Sequence, residues 1–448
     1  MRTAWAWLLC GLGCLGTGFG AAPAAAEEIS FTKQIAPLLV KNCVACHGPK
    51  DFKGGYQLHT FDVLMKPGES ESPAIKPGDP AGSYLFDLLT STDASSRMPL
   101  ESDPLPADKI ALVKTWIEQG AKYDSPDVHA TLASIAPKEP HPAAPEAYRV
   151  AMPITAVAFR PDGNELAVGG YHEITLWNPA DGSLVKRIGN VAERTYGLAY
   201  RPNGQLLAAA SGTPGQIGEI RLYNPADGSL VKDLATLPDV AFDVAFSADG
   251  SRLAACGADR SIRVFNVESG TQELLIEDHA DWVLAIAWSA DGKFLASASR
   301  DKTSKVFDAA TGDSQITYPG HQNTVFGVAF SPDGNQVLSS GADKQIHIWN
   351  RSDAKKEANI GGFGNDVFKL ALVNGVIVSE SADKTARLHT FADRKQIQQF
   401  AGNSDWVYAA SYNEPTKRLA TGSYDGDVRI YNTADGKEVL RFKAAPGL

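Results

Sequence analysis

The chain has 448 residues, 44% apolar and 21% charged, with a net charge of −10. That length calls for more than one hydrophobic core. The acidity is dispersed and no long basic run occurs, which argues against a nucleic-acid partner and fits a soluble protein.

Residues 1–26 read as a signal peptide. Arg2 is a short positive region, "AWAWLLCGLGCLGTGFG" is apolar, and "APAAA" ends in small residues before Glu27. Cleavage near Ala24 to Ala26 is favoured over an uncleaved anchor, because glycines and small residues crowd the exit. A lipid anchor on Cys14 is disfavoured, since "GLGC" lacks an aliphatic residue three before the cysteine. No other run approaches the ~20 apolar residues of a membrane span. The mature chain is therefore expected in the periplasm or secreted. Cys10 and Cys14 leave with the signal, and Cys256, in "RLAACGA", reads as a buried thiol. Three remaining cysteines make no disulfide scaffold.

Residues 27–123 carry helical spacing. "SFTKQIAPLLVKN" places Ile35, Leu38 and Leu39 on one face behind a Ser30 cap. "SYLFDLLT" predicts a short helix capped by Ser83. "PADKIALVKTWIEQG" predicts a longer one with Ile110, Val113, Trp116 and Ile117 inward and Gly120 at its end.

After the first helix comes "NCVACHGPKDFKGG". A structural zinc site needs four ligands and no second C-x-x-C exists. A thioredoxin-like pair needs a βαβ setting that this segment lacks. The remaining reading is covalent haem c, with thioether links from Cys43 and Cys46 and His47 as proximal axial ligand. Met98, in "SSRMPLESDPLP", is the favoured distal ligand. Its setting is polar and irregular, and Pro99 is expected to hold the loop extended. His59, Met65 and water remain alternatives. Residues 124–147, with five prolines, read as an extended linker.

From 148 onward the chain repeats. "ITAVAFRPDGNELAVGG", "AFDVAFSADGSRLAACG", "VLAIAWSADGKFLASAS" and "VFGVAFSPDGNQVLSSG" are each strand, turn, strand. Asp249, Asp291 and Asp333 start the turn at intervals of 42 residues, and Asp162, Asn203, Asn374 and "NEP" at 413–415 mark other copies. Seven units at roughly 40–45 residues is the period of a four-stranded propeller blade. An aromatic ends the third strand of six units, at Trp177, Tyr223, Phe265, Phe307, Trp349 and Tyr431. Neither 147–150 nor 438–442 is singled out as the segment that closes the ring.

These repeats resemble the WD-repeat family over about 300 residues, most closely in "GHQNTVFGVAFSPDGNQVLSSGADKQIHIWN". The resemblance implies a hydrogen-bonded support among His321, Ser340, Asp343 and Trp349. Matching turn acids are Asp259, Asp301, Asp383 and Asp425. Blades one and two lack the turn Asp, and blade six has His389 in place of the aromatic. Residues 29–123 look like the planctomycete-type cytochrome c domain: helix, C-x-x-C-H, Lys/Gly-rich loop, "PGDPAGS", "RMP", then a helix ending "WIEQGA". That resemblance implies His47 and Met98 as axial ligands, with Leu100 departing from the usual second proline.

The expected architecture is multidomain: a small all-α c-type cytochrome domain, then an all-β seven-bladed propeller. The expected function is electron transfer by one covalent haem c, whose iron is held by His47 and Met98. A redox partner protein is implied, and the propeller would dock a protein or polymer. Trp282 and Trp406, each in "DWV", read first as packing between blades and second as contact residues. The turn acids read as structural, one per blade, and no G-x-S-x-G, H-E-x-x-H or phosphate loop occurs, so no catalytic residue is named. The alternatives are a redox enzyme with a second cofactor or substrate site in the propeller, and a haem sensor.

Overall fold

The computed structural model describes residues 28–44, 46–49, 52–100, 102–137 and 140–448. The targeting segment read over residues 1–26 lies outside them. The chain divides into two units, Met1–Glu139 and Pro140–Leu448.

In the first unit a π-helical turn, Phe31–Ile35, runs into α1, Ala36–Asn42. Ser30 caps it as its composition demands, accepting from the Lys33 amide at 3.1 Å. Four α-helices follow: the short α2 (Phe61–Leu64) and α3 (Tyr84–Thr90), the longer α4 (Ala107–Glu118), and the short α5 (Leu132–Ile135). Ser83 occupies the N-cap position of α3, but its hydroxyl turns back to the Asp79 carbonyl at 2.9 Å. The stripe on α4 buries Val113, Trp116 and Ile117. Gly120 adopts φ 97°, a left-handed value that favours glycine, and the Ala121 amide then reaches the Trp116 carbonyl at 2.9 Å. Trp116 fills the centre. Its indole donates to the Lys122 carbonyl at 2.9 Å, and its ring lies 5.3 Å from Phe31, which meets Phe61 edge-on at 5.0 Å. Among the described residues this unit has helices, turns and two isolated bridges, His47 to Phe52 and Thr60 to Thr131.

The second unit is a ring of seven four-stranded antiparallel sheets, each built from consecutive strands. The blades span 157–188, 194–237, 241–276, 283–318, 325–360, 367–400 and 407–443. The second strand of each blade is packed on both faces by its neighbours, so Leu166–Gly169 is buried throughout. The outermost strand faces water, and Leu184–Ile188 begins exposed and buries only its last residue. At the inner hairpins Asp249, Asp291 and Asp333 each accept from a serine hydroxyl two residues back at 2.6 Å and from the amide two residues on. These local bonds explain why an acid recurs there.

No strand is exchanged between the first and last blades. Residues 438–442 belong to the outer strand of blade seven, and 147–150 form no strand. The ring seals instead through a shared core of Ile154, Phe159, Trp177, Ala420, Val428 and Ile430. Trp177 packs on Phe442 at 4.7 Å, and the Tyr148 amide donates to the Pro446 carbonyl at 2.9 Å. Within this unit residues 140–148 lie against blades one and two. His141 Nε2 donates to Glu219 at 2.7 Å, and the Tyr148 hydroxyl donates to Glu173 at 2.7 Å.

Candidate functional site

The C-x-x-C-H segment is a single turn built on the end of α1. Cys43 leaves the helix with φ −129° while its amide still reaches the Leu39 carbonyl at 2.9 Å. Its own carbonyl then accepts from the amides of Cys46, at 3.1 Å, and His47, at 3.0 Å. Residues at i, i+3 and i+4 of such a turn share one side, which groups both thiols with the imidazole. Residues 52–58 close back on the turn, with the Lys53 amide on the Cys46 carbonyl and the Leu58 amide on the His47 carbonyl.

His47 Nδ1 lies 3.1 Å from the Tyr56 carbonyl. A carbonyl only accepts, so Nδ1 carries a proton, and in the neutral ring Nε2 is then the nitrogen with the lone pair. The Tyr56 ring meets the imidazole edge-on at 5.7 Å. Cys43 and Cys46 are free thiols, the first half-buried and the second exposed. Burial, helped by the nearby Cys46, pushes the Cys43 thiol up to about 12.

Met98 is half-buried against the same core that Cys43 and Met65 pack on. Its amide donates to the Leu88 carbonyl at 3.0 Å, tying the loop to α3. The loop is not extended at Pro99: the Met98–Pro99 peptide is cis and the chain bends there. His59 is held differently, with its carbonyl accepting from Leu132 at 2.8 Å. Its Nδ1 is buried without a hydrogen-bond partner. Arg97 is the single arginine between Arg2 and Arg149, and its buried Nε has no partner beside Met98. Two free thiols, an imidazole with Nε2 available, a thioether and an unpaired guanidinium nitrogen suit an iron porphyrin with its carboxylates. Tyr56 escapes a sequence reading because it acts through its backbone carbonyl, whereas Arg97 lies within the "RMP" stretch without its unpaired nitrogen being foreseeable from it.

In the propeller, the central channel holds a cavity of about 350 Å³. Lys369 reaches across it, 3.0 Å from Asp243 and 3.1 Å from the Tyr196 carbonyl, joining blades two, three and six. Glu380, also lining the cavity, is pushed well above the usual carboxylate range by burial.

The support in blade five exists, with one member corrected. Asp343 accepts from His321 Nδ1 at 2.8 Å, and His321 Nε2 meets the hydroxyl of Ser339, not Ser340, at 2.7 Å. The Trp349 indole donates to the same Ser339 hydroxyl at 3.2 Å. Side chains alternate along a strand, so Ser340 points to the other face and donates to the Phe368 carbonyl at 3.0 Å. In blades one and two the missing turn Asp is replaced by the buried Glu173 and Glu219, paired with Arg187 and Arg221 at 2.6 Å. His389 of blade six is buried, its Nδ1 has no partner, and burial and then Arg387 lower it to about 4. Trp282 is half-buried under the Arg300 guanidinium at 3.8 Å, while Trp406 is 42% exposed among Phe368, Tyr408 and Tyr424.

Residues 43–101 match the family model described as Planctomycete cytochrome C. Residues 232–266, 270–308, 312–350 and 394–432 match WD domain, G-beta repeat. Each of these four stretches starts on or just before the outer strand of one blade and covers three strands of the next, which are blades three, four, five and seven. The other three are the blades whose turn acid or closing aromatic is replaced. No curated protein matched the chain. The chain thus carries a planctomycete-type cytochrome C domain, a family that implies haem binding, followed by WD repeats in a seven-bladed propeller, an architecture that commonly mediates protein contacts. Among the described residues no helix is long and apolar enough to cross a membrane.

Proposed function

We propose that the chain is an exported, mono-haem c-type cytochrome that transfers electrons, with its propeller docking a protein or polymer partner. The observation that carries this reading is the turn from Cys43 to His47, whose imidazole is fixed through Nδ1 with Nε2 left to bind. Cys43 and Cys46 would provide the two thioether attachments of a haem, and the His47 imidazole and the Met98 thioether would hold its iron. When bound, a haem with this ligand pair supplies a one-electron couple of raised potential. The Tyr56 carbonyl orients the His47 ring, and the core packing of Met98 limits its swing. Arg97 has the charge to hold a carboxylate at the rim. Export, cleavage near Ala26 and a periplasmic or secreted address belong to the same proposal, because such attachment takes place outside the cytoplasm.

The test is intact mass and absorption of the natively matured chain. The expected result is the mass of one porphyrin per chain and a low-spin reduced spectrum, both lost in Cys43→Ala/Cys46→Ala. An unmodified mass would refute the cytochrome reading. The channel cavity with Lys369, Asp243 and Glu380 favours a second reading, a redox enzyme with a small-molecule site in the propeller. Cofactor analysis separates the two: a second group released from the purified protein supports the enzyme.

A further inference from the structure

The propeller departs from its own repeat at one level of the inner strands. There the inner-strand residue and its partner on the second strand are both Gly, Ala or Ser in blades one, two, four, five and seven, as in the pairs Gly197–Ala210 and Gly327–Ser340. Space explains the choice: a Cβ added to Gly327 would lie 2.6 Å from Ser340 Oγ and 2.8 Å from the Leu370 nitrogen of the next blade. Blade three instead sets Asp243 opposite Cys256, and blade six puts Lys369 and Glu380 at this level. Asp243, Lys369 and Glu380 all line the channel cavity of about 350 Å³.

Their hydrogen bonds use up the acceptors and leave donors over. Asp243 is engaged at both oxygens, Oδ1 by Lys369 at 3.0 Å and Oδ2 by the Ile286 amide at 3.2 Å. Lys369 gives a second N–H to the Tyr196 carbonyl at 3.1 Å. An ammonium carries three, and the third has no acceptor among the described residues. Ser411 Oγ, on the same cavity, accepts from the Phe159 amide at 3.0 Å and keeps its own proton to donate. Glu380 is 3% exposed. Burial pushes its carboxyl well above the usual range, against the opposing effects of Lys369 and the Ala410 amide. The protonated form that burial favours is a donor. The same wall carries apolar side chains, among them Val157, Leu198 and Ala199.

We propose that the propeller channel binds a short-chain monocarboxylate, with its oxygens accepting from Lys369, Ser411 and Glu380 and its alkyl tail against Val157, Leu198 and Ala199. A carboxylate offers two oxygens with about four acceptor sites and no donor, the complement of a wall that has donors to give. Hydrogen bonds between charged partners are about twice as strong as neutral ones, so Lys369 is the anchor. An ammonium ligand is disfavoured, because Lys369 repels a second cation and both Asp243 oxygens are already engaged. The cavity lies at the small end of the roughly 300–1,000 Å³ of ligand pockets, which keeps the tail short. The inference rests on reading the channel as a small-molecule site and needs no redox step.

The experiment titrates sodium butyrate into the full-length holoprotein by calorimetry, with n-butylammonium as the same tail under the opposite charge. The expected result is one saturable butyrate site, no butylammonium binding and an unchanged haem spectrum. Lys369→Met keeps a long side chain without the charge and is expected to weaken butyrate by about tenfold or more. Ser411→Ala removes one hydroxyl, is expected to weaken it by about threefold, and serves if Lys369→Met does not fold. Glu380→Gln, whose amide still donates, is expected to bind more tightly than Glu380→Ala. No saturable butyrate binding, wild-type affinity in the folded Lys369 or Ser411 variant, or tighter binding of butylammonium would overturn the proposal and leave an ionic strut across the channel. Butyrate binding without a second cofactor upholds this site and removes the redox enzyme; a second cofactor without butyrate binding does the reverse.

Discussion

In the first unit a single indole, Trp116, joins α4 to the π-helical turn and to the Lys122 carbonyl, and no second copy of that contact exists among the described residues. In the propeller the same kind of work is repeated blade by blade, with a closing aromatic, a turn acid and a hairpin acid in most copies. The propeller therefore tolerates His389 in blade six and the glutamates of blades one and two, because each lapse costs one local set of bonds. The helical unit has no such redundancy.

This contrast can be broken by mutation. Trp116→Ala is expected to cost the first unit about 3–5 kcal/mol, lowering its own transition in calorimetry and leaving the propeller's in place. A single coupled transition that falls as a whole would show that the units do not melt separately. Asp383→Ala is expected to cost about 2–3 kcal/mol, since the carboxylate accepts from Thr385, Arg387 and Gly364. Denaturant titration reads that loss, and hydrogen exchange should confine the extra opening to blade six.

Acid supplies the next test. His389 titrates at about 4 when folded, below the ordinary value of 6.5. Between those values the unfolded chain binds the proton that the folded chain refuses, so stability is full above pH 6.5 and falls as pH drops toward 4. His389→Phe should remove about 1–2 kcal/mol of that loss at pH 5, seen as a flatter acid limb in melts across pH. An unchanged limb would mean that His389 is hydrated. The smallest effect separates adjacent serines. Ser339→Ala should cost about 1–2 kcal/mol and Ser340→Ala about 0.5–1, because Ser339 serves two partners and Ser340 one.

The repeat period, the hairpin acids and the C-x-x-C-H turn were legible because each depends on residues close in sequence. Ser30, Gly120 and Asp249 declare their local bonds in the residue type itself. Ser340 was misassigned because the choice between adjacent serines depends on strand register, and Val337 opposite Trp349 puts Ser339 on the aromatic's face. The Tyr56 carbonyl on His47 and the reach of Lys369 to Asp243 are long-range or backbone contacts, with no signature in spacing. The clasp of His141 on Glu219 crosses 78 residues and was hidden in a stretch whose prolines suggested only an extended linker.

Because the ring is sealed by side chains and a few backbone bonds, with Tyr148 hydrogen-bonded to Pro446, no blade holds a strand hostage for another. Each sheet is complete within its own run of four consecutive strands, so the circle can be assembled blade by blade in chain order. The starting point is then arbitrary: a circular permutant that joins the two ends and opens the chain in the turn before Arg194 would present the same seven sheets in the same order.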